Sequence, residues 1–275
     1  MTTTSEPVRH RLDLSYDGTD FSGWARQPGR RTVEETVSLA LATVLRLAEP
    51  PALTVAGRTD AGVHALGQVA HVDLAGETDP IDVARRLAGV LPADIVVRGV
   101  AAAPLGFDAR FSALGRRYRY RVVDGTADPL RRRDTVAWAR PLDVTSMNLA
   151  AAALVGEHDF AAFCRPREGA TTIRTLRRLT VTRHDDGVVA VAAEADAFCH
   201  NQVRAMVGAL LVVGDGRRPA EWVRGVLDAR VRDSGVTVAP PHGLTLMRVD
   251  YPPDAELAAR AVAARGRRSN PATAG

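Results

Sequence analysis

The sequence predicts an α+β protein of two similar halves, each a mostly antiparallel sheet with helices on one face, and three observations predict it. Apolar residues recur at strand and helix spacings in the order strand, helix, strand, strand, helix, strand, strand before residue 125, and a second round follows. Short turn signals, Asp124-Gly125 and Asp185-Asp186-Gly187, close strands in the manner of antiparallel neighbours. The 275 residues, 46% apolar and 25% charged, suffice for one large α/β unit or two modest domains. That composition excludes a disordered or collagen-like chain. No apolar run reaches the roughly 18 residues of a membrane span, and the stretch from Met1 to Arg11 has no hydrophobic signal region.

Each element has a local reason. Leu12, Leu14 and Tyr16 alternate with Arg11, Asp13 and Ser15, which predicts a half-buried strand over 11–16. Thr32 followed by Glu35 reads as a capping box, and Val33, Val37, Leu41, Val44 and Leu45 then form one apolar helix stripe. Residues 53–57 and 68–74 read as strands. Asp79-Pro80 opens a helix with Ile81, Ala84, Leu87 and Ala88 on its apolar side, and strands follow at 95–100 and 117–123. In the second round Asp143 caps a helix to Leu154, strands at 175–182 and 188–193 form a hairpin, and Val203 to Leu211 is an apolar-faced helix ended by Gly214. A short helix around Trp222 and a closing strand at 244–250 complete it. The expected organisation is a disordered N-terminus at 1–7, one half over 8–125, a second over 126–251, and a flexible basic tail at 252–275.

The formal charge is only +4, yet every basic residue is arginine. Between Leu105 and Arg140 nine arginines face four aspartates, and between Ala161 and Arg183 six arginines face one glutamate, a local +5 in each segment. Positive charge is therefore concentrated. In the strand over 117–123, Arg117, Arg119 and Arg121 share one face while Tyr118, Tyr120 and Val122 share the other. Cations interleaved with aromatic rings suit RNA, whose phosphates need charge and whose unstacked bases need ring faces. A solvated strand face over an apolar core is the plainer alternative. The two cysteines, Cys164 and Cys199, read as free thiols of a reducing compartment, which places the protein in the cytoplasm.

The sharpest local feature is Gly57-Arg58-Thr59-Asp60-Ala61-Gly62-Val63-His64, a glycine-bracketed loop between two strands. Asp60 there suits a nucleophile, a general base, a metal ligand with His64 and His71, or a turn former. The metal alternative lacks a further ligand at suitable spacing. A third feature is Arg204, set among Val203, Ala205, Met206 and Val207 at the start of an apolar helix. Such a cation must snorkel outward or meet a carboxylate.

Together these features resemble the tRNA pseudouridine synthase A family. Its Gly-Arg-Thr-Asp-x-Gly-Val-His-Ala loop is present as Gly57 to Ala65. Further matching blocks are Tyr16-Asp17-Gly18 with Gly23-Trp24, Phe107 to Ala113, Arg117 to Tyr120, Gly156 to Phe160, and Phe198 to Gly208. The resemblance spans about Val8 to Tyr251. It implies the pseudouridine synthase fold, with the two halves meeting at a central basic cleft. It also implies isomerisation of uridine to pseudouridine at positions 38, 39 and 40 of the tRNA anticodon stem-loop, after the base is flipped from its stack.

By the same resemblance Asp60 is the catalytic nucleophile. Arg58 helps hold the target nucleotide out, Tyr118 packs against the uracil, and Arg204 pairs with the catalytic carboxylate. Arg110, Arg117, Arg119 and Arg177 are the expected RNA-backbone contacts. No cofactor and no metal are expected. The implied partner is tRNA, bound across a homodimer, with no membrane association. Cys199 and Gln202 depart from the family's pattern at the helix start, and every family lysine is arginine here. A tRNA-binding module without catalysis and a metal-dependent hydrolase remain the competing readings.

Overall fold

A computed structural model describes residues 6–74, 78–165 and 171–266. The chain divides into two compact units, whose described residues are 6–74, 78–114 and 246–266 in one and 115–165 and 171–245 in the other. Most of the expected disordered N-terminus and the last part of the expected tail, 267–275, lie outside the described residues.

The first unit contains β1 (Val8–Tyr16), α1 (Val33–Leu45), β2 (Thr54–Val55), β3 (His64–Leu74), α2 (Pro80–Val90) and β4 (Ile95–Ala102). It also holds β10 (Leu244–Asp250) from Leu246 onward, and α6 (Leu257–Arg265). Its strand order is β4-β1-β3-β10, with β2 on β3, and β1 lies antiparallel to both neighbours. The alternation in β1 places Leu12 and Leu14 fully inside. Each such leucine contributes about 1.5–3 kcal/mol by leaving water. Val37 and Leu41 of α1 and Leu87 of α2 are likewise fully buried. On the chain's last described stretch α6 buries Leu257 and Ala261.

The second unit runs β5 (Gly115–Val123), β6 (Val136–Ala137), α3 (Val144–Ala152), β7 (Gly156–Asp159), β8 (Ile173–Arg183), β9 (Val188–Ala195), α4 (Gln202–Gly214) and α5 (Glu221–Ala229). Its strand order is β5-β9-β8-β7, antiparallel throughout, and the two-residue β6 runs parallel to β5. The β8–β9 turn closes through Gly187 at φ 80°, a conformation glycine adopts without strain. Asn148 of α3 clamps the backbone of Val181, accepting its N–H at 2.9 Å and donating to its carbonyl at 2.8 Å. That occupies backbone groups which β8 would otherwise present to water.

Three local expectations are corrected. Thr32 makes no capping hydrogen bond and its buried hydroxyl has no partner among the described residues. The N–H groups of Val33 and Glu34 instead donate to the carbonyls of Gly23 and Trp24, so the preceding loop caps α1. In α2 the buried side is Val83 and Leu87, while Ile81 is 79% exposed, because the helix is rotated from its simplest apolar stripe. Cys164 and Cys199 are not free thiols but a disulfide, with Cα atoms 5.7 Å apart, within the usual span. Arg165 N–H donates to the His200 carbonyl at 2.9 Å, so backbone pairing brings the two cysteine segments together.

Candidate active site

The loop between β2 and β3 is held from several sides by its own unit. Strand β3 begins at His64, earlier than periodicity suggested, so the loop proper spans only residues 56–63. Val63 N–H donates to the Asp60 carbonyl at 3.2 Å, closing a turn that needs Gly62 at φ 76°. The backbone after β1 lies directly against it. Trp24 N–H donates to the Thr59 carbonyl at 3.0 Å and Gly62 N–H to the Phe21 carbonyl at 3.2 Å. Gly18 must be glycine here, since a Cβ would collide with the Val63 carbonyl. His64 accepts the Gly18 N–H at Nδ1, at 2.9 Å. Thr59 is buried, Asp60 is half-buried and Arg58 is exposed. A fixed backbone thus carries one partly accessible carboxylate and, two residues earlier, one accessible cation.

His64 and His71 are both buried, and each spends Nδ1 on a backbone N–H, that of Gly18 or of Ala109. Burial, then the charge of Arg9, lowers the His71 pKa and keeps the ring neutral. Among the described residues no group of three or more His, Cys, Asp and Glu side chains could hold a metal ion. Arg110 is exposed on the segment between β4 and β5, its guanidinium 5.1 Å from the Phe111 ring centre. Asp108 accepts the N–H groups of Arg110 and Phe111, both at 2.9 Å, which orders that turn.

In the second unit α4 is buried at every position except Arg204. Arg204 is held by its neighbours. Its Nε donates to the Ala239 carbonyl at 2.7 Å, and Nη1 lies 3.5 Å from Asn201 Oδ1. The Ala239 N–H in turn donates to the Arg204 carbonyl. Asn201 opens the helix at φ 67°, left-handed backbone that asparagine tolerates better than most residues. Tyr118 is half-exposed and meets Phe198 edge-on at 5.3 Å, whereas Tyr120 is buried, its hydroxyl donating to the Pro240 carbonyl. Burial raises the Tyr120 pKa, so that hydroxyl stays protonated.

The expected RNA-contact arginines of this unit share one sheet face. Cross-strand register sets Arg117 beside Glu194 and Arg178, Arg119 beside Ala192 and Thr180, and Arg121 beside Ala190 and Thr182. A bulge between Leu176 and Arg178 throws Arg177 out of the ladder, and its guanidinium lies over Gly115 on the same side. Asp134 pairs with Arg121, and Glu194 lies 3.6 Å from Arg117. Arg119 Nε is buried with no hydrogen-bond partner among the described residues, and burial followed by the nearby Arg121 lowers its pKa. The small alanine side chains of β9 leave the arginine stems standing above a shallow floor.

Phe198, Asn201 and Tyr16 fall within matching blocks of the sequence, but the sequence assigned no role to them or to Gln68.

These features fall within a known class. A family model described as tRNA pseudouridine synthase matches residues 14–112 and 150–252, which take in the loop, the Arg110 segment and α4. Curated relatives named tRNA pseudouridine synthase A come from Frankia casuarinae, 63% identical, from Streptomyces griseus, 59% identical, and from Mycobacterium leprae, 50% identical. The alignments cover 98%, 98% and 97% of this chain and the same shares of those proteins. The chain belongs to the tRNA pseudouridine synthase A family, isomerases that convert tRNA uridine to pseudouridine. Among its described residues no helix is long and apolar enough to cross a membrane.

Proposed function

We propose that this protein acts at positions 38, 39 and 40 of the tRNA anticodon stem-loop, with Asp60 as its nucleophile. The observation that carries this reading is the loop from Gly57 to His64, a rigidly held backbone presenting a single half-buried carboxylate. The reaction is an isomerisation. The bond from N1 of uracil to C1′ of ribose breaks and a bond from C5 to C1′ forms. C5 loses a proton, N1 gains one, and no oxidant or reductant is needed to balance it.

The target base must leave its stack before any side chain can reach it, at a cost of a few kcal/mol. The exposed Arg58 supplies a cation beside Asp60 for the displaced nucleotide's phosphate. Tyr118, its ring already fixed edge-on by Phe198, offers a face for the uracil. Arg204 is the cation this reading assigns to the Asp60 carboxylate, which favours the ionised form in a closed pocket. Arg110, Arg117, Arg119 and Arg177 are assigned to the tRNA backbone. The same reading includes a homodimer with tRNA across both subunits, and a cytoplasmic location where tRNA is modified.

Purified protein incubated with unmodified tRNA and read by a pseudouridine-specific chemical method tests this. Conversion at 38–40 by the wild type and none by Asp60→Asn is expected. Conversion that survives Asp60→Asn would refute Asp60 as the nucleophile, whereas tRNA binding without conversion by the wild type would favour a binding module whose aspartate is a turn residue. Conversion at other sites would refute the positional assignment.

A further inference from the structure

Behind the loop lies a buried polar chain that the assignments above do not use. Gln68, fully buried in β3, donates from Nε2 to the Gly57 carbonyl at 2.9 Å and to the Tyr16 hydroxyl oxygen at 3.1 Å. Its Oε1 accepts the Val69 N–H at 3.2 Å, which settles the orientation of the amide. The Tyr16 hydroxyl lies 2.8 Å from Thr59 Oγ1. An amide nitrogen only donates, so the Tyr16 oxygen accepts from Gln68, while either hydroxyl can supply the proton of the Tyr16–Thr59 bond. Burial pushes the Tyr16 pKa up to about 12, so the proton is present at every physiological pH. Gln68, Tyr16 and Thr59 thus form one continuous hydrogen-bonded chain whose members polarise one another.

The anchored atoms are the informative part. Gly57 and Thr59 flank Arg58, and Thr59 directly precedes Asp60. The Thr59 carbonyl is meanwhile taken by Trp24. The Tyr16 ring itself is braced by Trp24, centroids 6.2 Å apart. Neither Tyr16 nor Gln68 is exposed enough to meet a nucleotide, both being at 5% or less. Their polar atoms can act on the reaction only through the loop.

We infer that Tyr16 and Gln68 are positioning residues for the isomerisation, fixing the backbone on both sides of Arg58 so that the Asp60 carboxylate is held at its reacting geometry. The inference rests on the reading of Asp60 as nucleophile. A displacement of about 1 Å at such a group costs on the order of a hundredfold in rate, so a loosened loop shows itself in the chemical step.

The test compares Tyr16→Phe and Thr59→Val, which keep shape and lose one hydroxyl each, with Gln68→Ala, Thr59→Ser and Asp60→Asn. The single-turnover rate at saturating enzyme and the Kd for unmodified tRNA are measured for each variant, with the melting temperature as a check on folding. Tyr16→Phe and Thr59→Val are expected to lose tenfold or more in rate with Kd within about twofold of wild type. The double variant should be no slower than the worse single one, since both hydroxyls form one bond. Thr59→Ser, which restores the hydroxyl, should recover at least a third of the wild-type rate. Folded Tyr16→Phe and Thr59→Val proteins at wild-type rate, with Asp60→Asn inert, would overturn the inference alone, as would a raised Kd at unchanged rate. Conversion by Asp60→Asn would overturn the underlying reading and this inference with it. Should Gln68→Ala fail to fold, the two shape-preserving variants decide.

Discussion

The loop from Gly57 to Val63 is gripped by hydrogen bonds from residues 16–24 and from Gln68, and Gly18 fits against it with no room for a side chain. The sheet face of β5, β9 and β8 is built the other way. Its arginines rise on long stems from a floor of Ala190 and Ala192, with Arg117 and Arg177 exposed. On the proposed assignments the difference follows from what each task tolerates. A reacting carboxylate loses its advantage when it moves by an ångström, so its backbone is over-determined. Phosphate recognition depends on charge near the surface and survives a change of rotamer, so exposed side chains such as Arg117 and Arg177 suffice.

The contrast breaks most visibly at Gly18. Gly18→Ala drives a Cβ into the Val63 carbonyl, and backbone cannot yield as a flexible side chain would. The expected result is a loss on the order of a hundredfold in single-turnover rate. Stability should fall by about 1–3 kcal/mol, the usual range for overpacking, as read by urea titration. A near-normal rate in that variant would show the loop to be less constrained than its contacts imply.

Arg119→Ala and Arg177→Ala address the other side of the comparison. Each should weaken tRNA binding several-fold at low salt and much less at high salt. Each should also reduce the slope of log K against log salt by about 1, the signature of one lost phosphate contact. The rate at saturation should fall less than the affinity does. A flat salt response in the wild-type protein would count against this face as the RNA surface.

The smallest effect concerns pH. His71, neutral and buried, accepts the Ala109 N–H next to Arg110. Its pKa is lowered in the folded protein from the usual 6.5, chiefly by burial. Below about pH 6.5 the unfolded chain takes up this proton more readily than the folded one, so stability declines as pH falls and is flat above. The urea midpoint followed from pH 7.5 to 5 should show that decline. His71→Gln, which keeps an acceptor for Ala109 but does not titrate, should flatten it.

Much of this organisation is written locally. Asp79 and Asp143 cap α2 and α3 as their positions suggested, and the Asp186-Gly187 turn joins β8 to β9. The family was legible because several blocks occur in order, Gly57 to Ala65 above all. Other features depend on distant backbone. The N-terminus of α1 is capped by the carbonyls of Gly23 and Trp24, so Thr32 misled as a capping residue. The rotation of α2 is set by packing, which left Ile81 outside. Cys164 and Cys199 are 35 residues apart, and nothing local announces that they pair. The roles of Tyr16 and Gln68 likewise arise only from tertiary proximity to Thr59 and Gly57.

On the proposed assignments the held loop performs the chemistry, while most of the tRNA affinity comes from arginines outside it. The most direct test of this division is one sample of Asp60→Asn with unmodified tRNA, in which Kd and single-turnover conversion are measured together. The expected result is tRNA affinity close to wild type with conversion reduced by at least about a thousandfold. Conversion within tenfold of wild type, at unchanged affinity, would contradict it.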